Sequence, residues 1–247
     1  MKVYSKTDIG LVRHSNQDAC DAGLLPDGSA WAVVCDGMGG ANGGNIASAV
    51  AVENIRDEFL AGWKEGGDST SVHDALISAI QKANTAVYET AQKDKTLYGM
   101  GTTVVAAVVS KGTAHIAHAG DSRAYLISSE GIHQLTMDHS MVQELVNAGD
   151  LTEQEAMRHP HKNIITRALG VQPGLEIDYA EREFPEGTML LLCSDGLTNY
   201  ADTQEIYRLS QTVPAEQLAA ELVRLAREGG GGDNITAAVV ENQPADL

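Results

Sequence analysis

The sequence predicts an α+β fold, and three observations carry that expectation. Two apolar stripes at helical spacing follow one another: Ile46, Ala49, Val50, Val52, Ile55 and Phe59, then Val72, Ala75, Leu76, Ala79, Ile80, Ala83 and Val87. Between residues 102 and 128, short apolar runs succeed each other with only turn residues between them, which suits antiparallel neighbours. Helices that arrive in pairs do not alternate one for one with strands, as a doubly wound parallel sheet requires.

Taken in order, strands are expected near 30–35, 102–110, 113–119, 123–128, 175–184, 188–193 and 235–240, each bounded by Gly, Asp or Ser. Residues 139–148 and 152–157 read as short helices. Pro214 suits the first turn of a further helix running to about Arg227, because its missing N–H costs nothing there. The turn Gly120-Asp121-Ser122 between two strands reads as a plain hairpin. The glycine-rich stretches 62–67 and 229–232 are too short to be interdomain linkers, so residues 1–247 read as one domain with a surface insertion at about 137–170.

Composition narrows the function. Lys and Arg total 17 against 34 Asp and Glu, a formal net charge of −17, and there is no basic run, so the cationic footprint that nucleic acid requires is missing. The longest apolar runs, Val104–Val109 and Met189–Cys193, fall far short of the roughly 18 residues of a membrane span, and the N-terminus lacks a signal core. No membrane association is expected, and a cytoplasmic location is. Cys20, Cys35 and Cys193 are odd in number and widely spaced, which suits core packing in a reducing compartment and not a disulfide framework.

Three segments share one design, an apolar strand meeting an Asp beside glycine: WAVVCDGMGG with Asp36, MLLLCSDG with Asp195, and GGGGDNITAAVV with Asp233. One Asp-Gly is ordinary turn chemistry. Three carboxylates at strand ends are costly to bring together unless cations neutralise them, which points to hard divalent ions. Oxygen donors suit Mg²⁺ or Mn²⁺, and no zinc spacing stands against this. His115 and His118 face opposite sides of a strand, and His159 and His161 flank Pro160 in a loop.

No covalent nucleophile for phosphate chemistry is evident. The residue six places after each cysteine is Pro26, Ala41 or Asn199, never the Arg that a cysteine phosphatase needs. No Asp-x-Asp nucleophile motif, serine-hydrolase elbow or phosphate-binding glycine loop is present. Metal-activated water remains: two ions about 3.5–4 Å apart lower the pKa of a shared water and place a hydroxide in line with phosphorus. Arg13, ahead of Asp18 in GLVRHSNQDA, is the candidate phosphate clamp, since a guanidinium donates two parallel hydrogen bonds.

The succession GLVRHSNQDA, VVCDGMGG, GTTVVAAVV, HAGDSRAYL, LTMDHS, HPHKNIITRALG, LLCSDGL and GGGGDNIT resembles the bacterial branch of the metal-dependent protein phosphatases, the type 2C serine/threonine phosphatases, over residues 5–240. The resemblance implies a four-layer α-β-β-α sandwich and hydrolysis of phosphoserine and phosphothreonine by a metal-bridging hydroxide. It implies that Asp36 bridges two ions, Mg²⁺ or Mn²⁺, that the Gly37 carbonyl binds one of them, and that Asp195 and Asp233 hold the other. Asp18 would hold metal-bound water, Asn234 would steady the Asp233 loop, and Asp121 would share a third ion with Asp195. Arg13 becomes a phosphate ligand, and 137–170 a flap whose His161 reaches substrate.

The implied substrates are phosphorylated proteins, with a serine/threonine kinase as the opposing partner. Two departures stand out. Met38 replaces the proton-donating His of many eukaryotic relatives, and Gln17-Asp18 replaces their Glu-Asp. A phosphatase-like phosphoprotein-binding module without activity is the alternative, and retention of Asp36, Asp195, Asp233 and Arg13 together favours the enzyme.

Overall fold

Burial along the central strands dictates the layering in the computed structural model, which describes residues 1–243. Strand β1 is Lys2–Asp8, β2 Asp18–Leu24, β3 Ala30–Met38, β4 Gly101–Thr102, β5 Val104–Ser110, β6 Thr113–Ala119, β7 Arg123–Ser128, β8 Gly131–Gln134, β9 Asp178–Glu183, β10 Met189–Cys193 and β11 Ile235–Glu241. Every residue of β5 is buried, so both of its faces are covered. Val104, Ala106 and Val108 pack against Ile55, Phe59, Leu76 and Ile80 of helices α1 (Gly40–Gly62) and α2 (Ser69–Lys93). Val105, Ala107 and Val109 meet Leu190, Leu192, Ala238 and Val240 of the other sheet. The alternate faces of those strands, through Leu191 and Val239, carry Leu218 and Leu222 of α7 (Ala215–Glu228). Period-two alternation in two packed sheets thus gives the four expected layers.

One sheet has the order β1-β11-β10-β7-β8 and the other β2-β3-β5-β6-β9, with β4 on the end of β3. The pairings among named strands are antiparallel. Helices α3 (Met141–Ala148) and α4 (Glu153–Met157) occupy the insertion, and α5 (Asp195–Thr198) and α6 (Thr203–Ser210) follow β10.

The structure departs from the sequence expectations at identifiable places. Strands β1, β2 and β8 escape periodicity because KVYSKTD, DACDAGL and GIHQ are half-buried and polar, at or beside sheet edges. The four-residue length of α5 and the polar face of α6 hide those helices. Pro214 sits one residue before its helix, as the cap. The Gly120-Asp121-Ser122 turn is not a hairpin: β6 and β7 belong to different sheets, so this turn crosses from one sheet to the other.

That crossing gathers the acidic loops. Asp36 lies two residues before the end of β3, β5 starts beside it through a Thr103 N–H donated to the Asp36 carbonyl (2.8 Å), and β6 returns to the same end with Ala119 opposite Val104. In the other sheet, Cys193 at the end of β10 lies opposite Ala237 near the start of β11 and opposite Arg123 at the start of β7. Antiparallel pairing therefore brings the loops after β3, β6 and β10, and the one before β11, to one end of the sandwich.

Gly37 and Gly44 let α1 press on β3 there, since a Cβ on Gly44 would lie 2.6 Å from the Gly37 carbonyl oxygen. Gly44→Ala is expected to destabilise by about 1–3 kcal/mol, the usual cost of overpacking, and to displace Gly37. Thermal unfolding checks it: a melting temperature equal to the parent protein would show that the two backbones are not in forced contact.

Candidate active site

The register of β2 and β3 sets Asp18 directly opposite Asp36. Asp195 is the first residue of α5, two residues past β10, and Asp233 stands two residues before β11 begins. Asp36, Asp121, Asp195 and Asp233 line one cleft together with Arg13, Gln17, Gly37 and Met38, and the flap contributes Asn163 and Ile165. Asp18 is 8% exposed and lies behind that surface. His161 is on the exposed flap outside this lining, its N–H donated to His159 Nδ1 at 3.2 Å.

Asp18 and Asp195 are each held from one side. Asp18 Oδ2 accepts from Ser194 Oγ and Thr236 Oγ1, both at 2.7 Å, while its buried Oδ1 has no partner. Asp195 Oδ2 accepts from Asn199 Nδ2 at 3.0 Å, and its buried Oδ1 is likewise unpartnered. Asp233 Oδ2 accepts from Arg13 Nη2 at 2.8 Å, an ion pair that leaves Arg13 half exposed. Asn234 joins the site together: Nδ2 donates to the Ile9 and Ser15 carbonyls (2.9 and 3.0 Å), and Oδ1 accepts from the Gln17 N–H (2.8 Å). The loop bearing Arg13 is thereby fixed to the Asp233 turn. On the opposite wall the Asp36 N–H donates to Thr103 Oγ1 (2.9 Å), which is 2.7 Å from Ser122 Oγ beside Asp121.

The sequence reading named the acids and Asn234 but gave no role to Ser194, Thr236, Thr103, Ser122 or Asn199. Their only sequence signal is adjacency: Ser194 precedes Asp195, Ser122 follows Asp121, and Thr236 and Asn199 lie within four residues of Asp233 and Asp195. From the flap, Lys162 Nζ donates to Asn199 Oδ1 at 2.7 Å and so reaches Asp195 through one side chain.

The electrostatics report a shortage of positive charge. Burial, then the neighbouring Asp18, Asp195 and Asp121, raises the Asp36 carboxyl well above its usual range. Burial lifts Asp18 to about 7 against the opposing pull of the Ser194 and Thr236 hydroxyls. Asp121 reaches about 7 through burial and the charge of Asp195, and Asp195 is raised by burial and by Asp233. The hydrogen bond to Asp233 raises the Arg13 guanidinium in turn. Crowded carboxylates with unpartnered buried oxygens form an all-oxygen donor set, which fits hard divalent cations. Thiol donors are absent from the lining, since Cys35 and Cys193 are fully buried in the cores and burial pushes the Cys193 thiol up to about 12.

Comparison with known proteins places this geometry. The protein phosphatase 2C family profile matches residues 12–230. The serine/threonine phosphatase stp of Listeria innocua is 39% identical over 247 residues, covering 98% of this chain and 96% of that protein. The S. agalactiae serine/threonine phosphatase structure superposes with a TM-score of 0.90 at 36% identity, covering 98% of this chain and 99% of that one. The catalytic domain of the serine threonine protein phosphatase PstP, solved in complex with two manganese ions, gives a TM-score of 0.85 at 32% identity over 98% of each chain.

The raised carboxyls set the pH response of metal-free protein. A group whose pKa is higher folded than unfolded stabilises most below the unfolded value near 4, and that contribution is lost as pH rises through its folded value, here about 7 for Asp18 and Asp121. Chelator-treated protein is therefore expected to lose melting temperature between about pH 4 and 7. Asp121→Asn should flatten part of that decline, and Mn²⁺ should reverse it while releasing protons. A slope unchanged in Asp121→Asn would show that this carboxyl is not held up.

Proposed function

This chain belongs to the protein phosphatase 2C family of metal-dependent serine/threonine protein phosphatases, and on that premise we propose which of its residues carry the reaction. It is an enzyme that depends on divalent metal and acts on phosphorylated proteins. The observation that supports the assignment is the convergence of Asp36, Asp121, Asp195 and Asp233 with Arg13 on one cleft, with Asp18 behind.

Asp36, the Gly37 carbonyl, Asp195 and Asp233 would hold two central ions, Mg²⁺ or Mn²⁺, and Asp121 with Asp195 would offer a third position. Asp18, anchored at Oδ2 by Ser194 and Thr236, keeps Oδ1 unpartnered and would support the bound ions from behind that set. Bound divalent ions supply Lewis acidity, lowering the pKa of water and screening the phosphoryl oxygens.

Water is the nucleophile, because the sequence carries no Cys-x5-Arg, Asp-x-Asp or serine-elbow motif that would activate a side chain to form a phosphoenzyme. Arg13 binds the phosphate: its guanidinium already grips one carboxylate oxygen of Asp233, is half exposed, and has donors left for a dianion. Met38 lines the cleft without a proton to give, so no acid stands at that position. The flap at 137–170 governs access, with Asn163 and Ile165 on the cleft side and His161 at its outer surface as a contact for substrate. No described helix is long and apolar enough to cross a membrane, and we place the enzyme in the cytoplasm, opposing a serine/threonine kinase.

Hydrolysis of a phosphothreonine peptide with Mn²⁺, with and without chelator, tests the function. Turnover that chelator abolishes is expected, and binding without turnover would favour a phosphoprotein-binding module. Asp36→Asn, Asp195→Asn and Asp233→Asn should each lower turnover severely at subsaturating Mn²⁺, with folding retained. Arg13→Ala should cost roughly ten- to hundredfold in kcat/KM, partly through KM, as loss of a hydrogen bond to a charged group does. Unchanged kinetics would return Arg13 to a surface role.

A further inference from the structure

Two short segments, GDSR at 120–123, which carries Asp121, and DHS at 138–140, meet at two points in the structure. Arg123 forms a two-point pair with Asp138, Nε to Oδ1 at 2.8 Å and Nη2 to Oδ2 at 2.6 Å. At the other end His139 closes on Gly120 twice: its N–H donates to the Gly120 carbonyl (3.0 Å), and its ring Nδ1 accepts the Gly120 N–H (3.1 Å). Asp121 is bracketed between these two clasps.

Because Nδ1 is an acceptor, the proton of a neutral ring is on Nε2, which faces Asp178 Oδ2 at 3.2 Å. Arg167 completes the far side, with Nη1 2.7 Å from Asp178 Oδ1 and 3.1 Å from His139 Nε2. The His118 ring stacks on His139 at 4.6 Å and 5°. His118, His139 and Asp178 bring potential ligand atoms within 4.8 Å of one another, yet a metal site is the weaker reading. The Arg167 guanidinium already supplies the positive charge there, and the Gly120 amide already engages Nδ1.

The same residue ties down the flap. The His139 carbonyl accepts the Thr166 N–H at 2.8 Å, Ser140 bridges to Ile165, and the Met141 N–H donates to the Ile164 carbonyl at 2.9 Å. The two ends of the flap are thus stitched together at the point where His139 holds the Asp121 turn. Gly120 has φ +116°, a backbone conformation that side chains other than glycine rarely adopt, so the turn needs an external hold to keep its aim.

We propose that His139 is a positioning residue for the reaction: through the Gly120 amide it fixes the direction in which Asp121 faces the cleft, and through its backbone it couples that direction to the flap. The proposal rests on the assignment of Asp121 to a metal-holding role.

His139→Asn and His139→Gln separate its two contacts. The Asn amide oxygen reaches about the place of Nδ1 and can accept from Gly120, whereas Gln extends toward Asp178 and Arg167 and leaves the Gly120 N–H without its acceptor. In Mn²⁺-loaded enzyme, His139→Gln is expected to lose about tenfold in kcat on a phosphothreonine peptide with KM nearly unchanged, the scale of one lost hydrogen bond. Amide exchange of the segment 118–124 should rise with it. His139→Asn should keep both kcat and protection close to the parent.

Equal losses in the two variants, or no loss in either, would overturn the proposal. A folded Asn variant with a tenfold loss overturns it even where the Gln variant does not fold. Asp121→Ala, measured alongside, distinguishes the two levels: unchanged turnover there overturns the metal-holding assignment of Asp121, whereas loss there with full turnover in His139→Gln overturns the positioning role alone.

Discussion

Mutual repulsion among carboxylates at one end of the sandwich is the constraint around which the rest is arranged. Asp36, Asp121, Asp195 and Asp233 share one cleft, Asp18 faces Asp36 across a strand pair, and burial compounds the repulsion at Asp18, Asp36, Asp121 and Asp195. A fold optimised only for stability would not place them so. The hydroxyls of Ser194 and Thr236 satisfy one oxygen of Asp18 and the amide of Asn199 one oxygen of Asp195, leaving the other oxygen of each acid without a partner. That one-sided satisfaction leaves a donor set a divalent ion can complete.

Rigidity comes from the sheets. Antiparallel register places Asp36, Asp195 and Asp233 on or beside strand ends whose other residues are fixed in two cores, so the donors are pre-aimed without the ion. Asn234 bonds to three points of the 9–17 loop, which makes the Arg13 arm part of the same frame. Asp121 is different: it lies on a turn that passes between sheets, and Asp138 and His139 provide the hold that strand pairing does not. The flap begins at this same clamp.

Sequence periodicity revealed the buried strands and both long helices because β5, β10 and β11 are apolar at nearly every position and α2 carries one continuous stripe. It missed β1 and β2, whose alternation is blurred by polar residues beside the site, and those strands position Arg13 and Asp18. Asp36, Asp195 and Asp233 were legible because Asp beside glycine at the end of an apolar run is a conspicuous pattern, whereas Asp18 and Asp121 gained their roles only through the family resemblance. Their supporting hydroxyls were not, since a serine or threonine in a strand says nothing of its partner: Thr236 reaches Asp18 across 218 positions of chain. The GDSR turn misled for a related reason, because turn residues do not record which sheet receives the next strand. His139 was invisible as a clamp until the flap base and the β6–β7 crossing were seen together.

Anomalous scattering at the manganese edge, from crystals of the full chain grown with Mn²⁺, is the most direct measurement. Two peaks within coordination distance of Asp36, Asp195 and Asp233, with any third beside Asp121, are the expected result. A cleft without peaks at saturating Mn²⁺, or density only among His118, His139 and Asp178, would contradict the assignment of the carboxylate cluster as the metal centre.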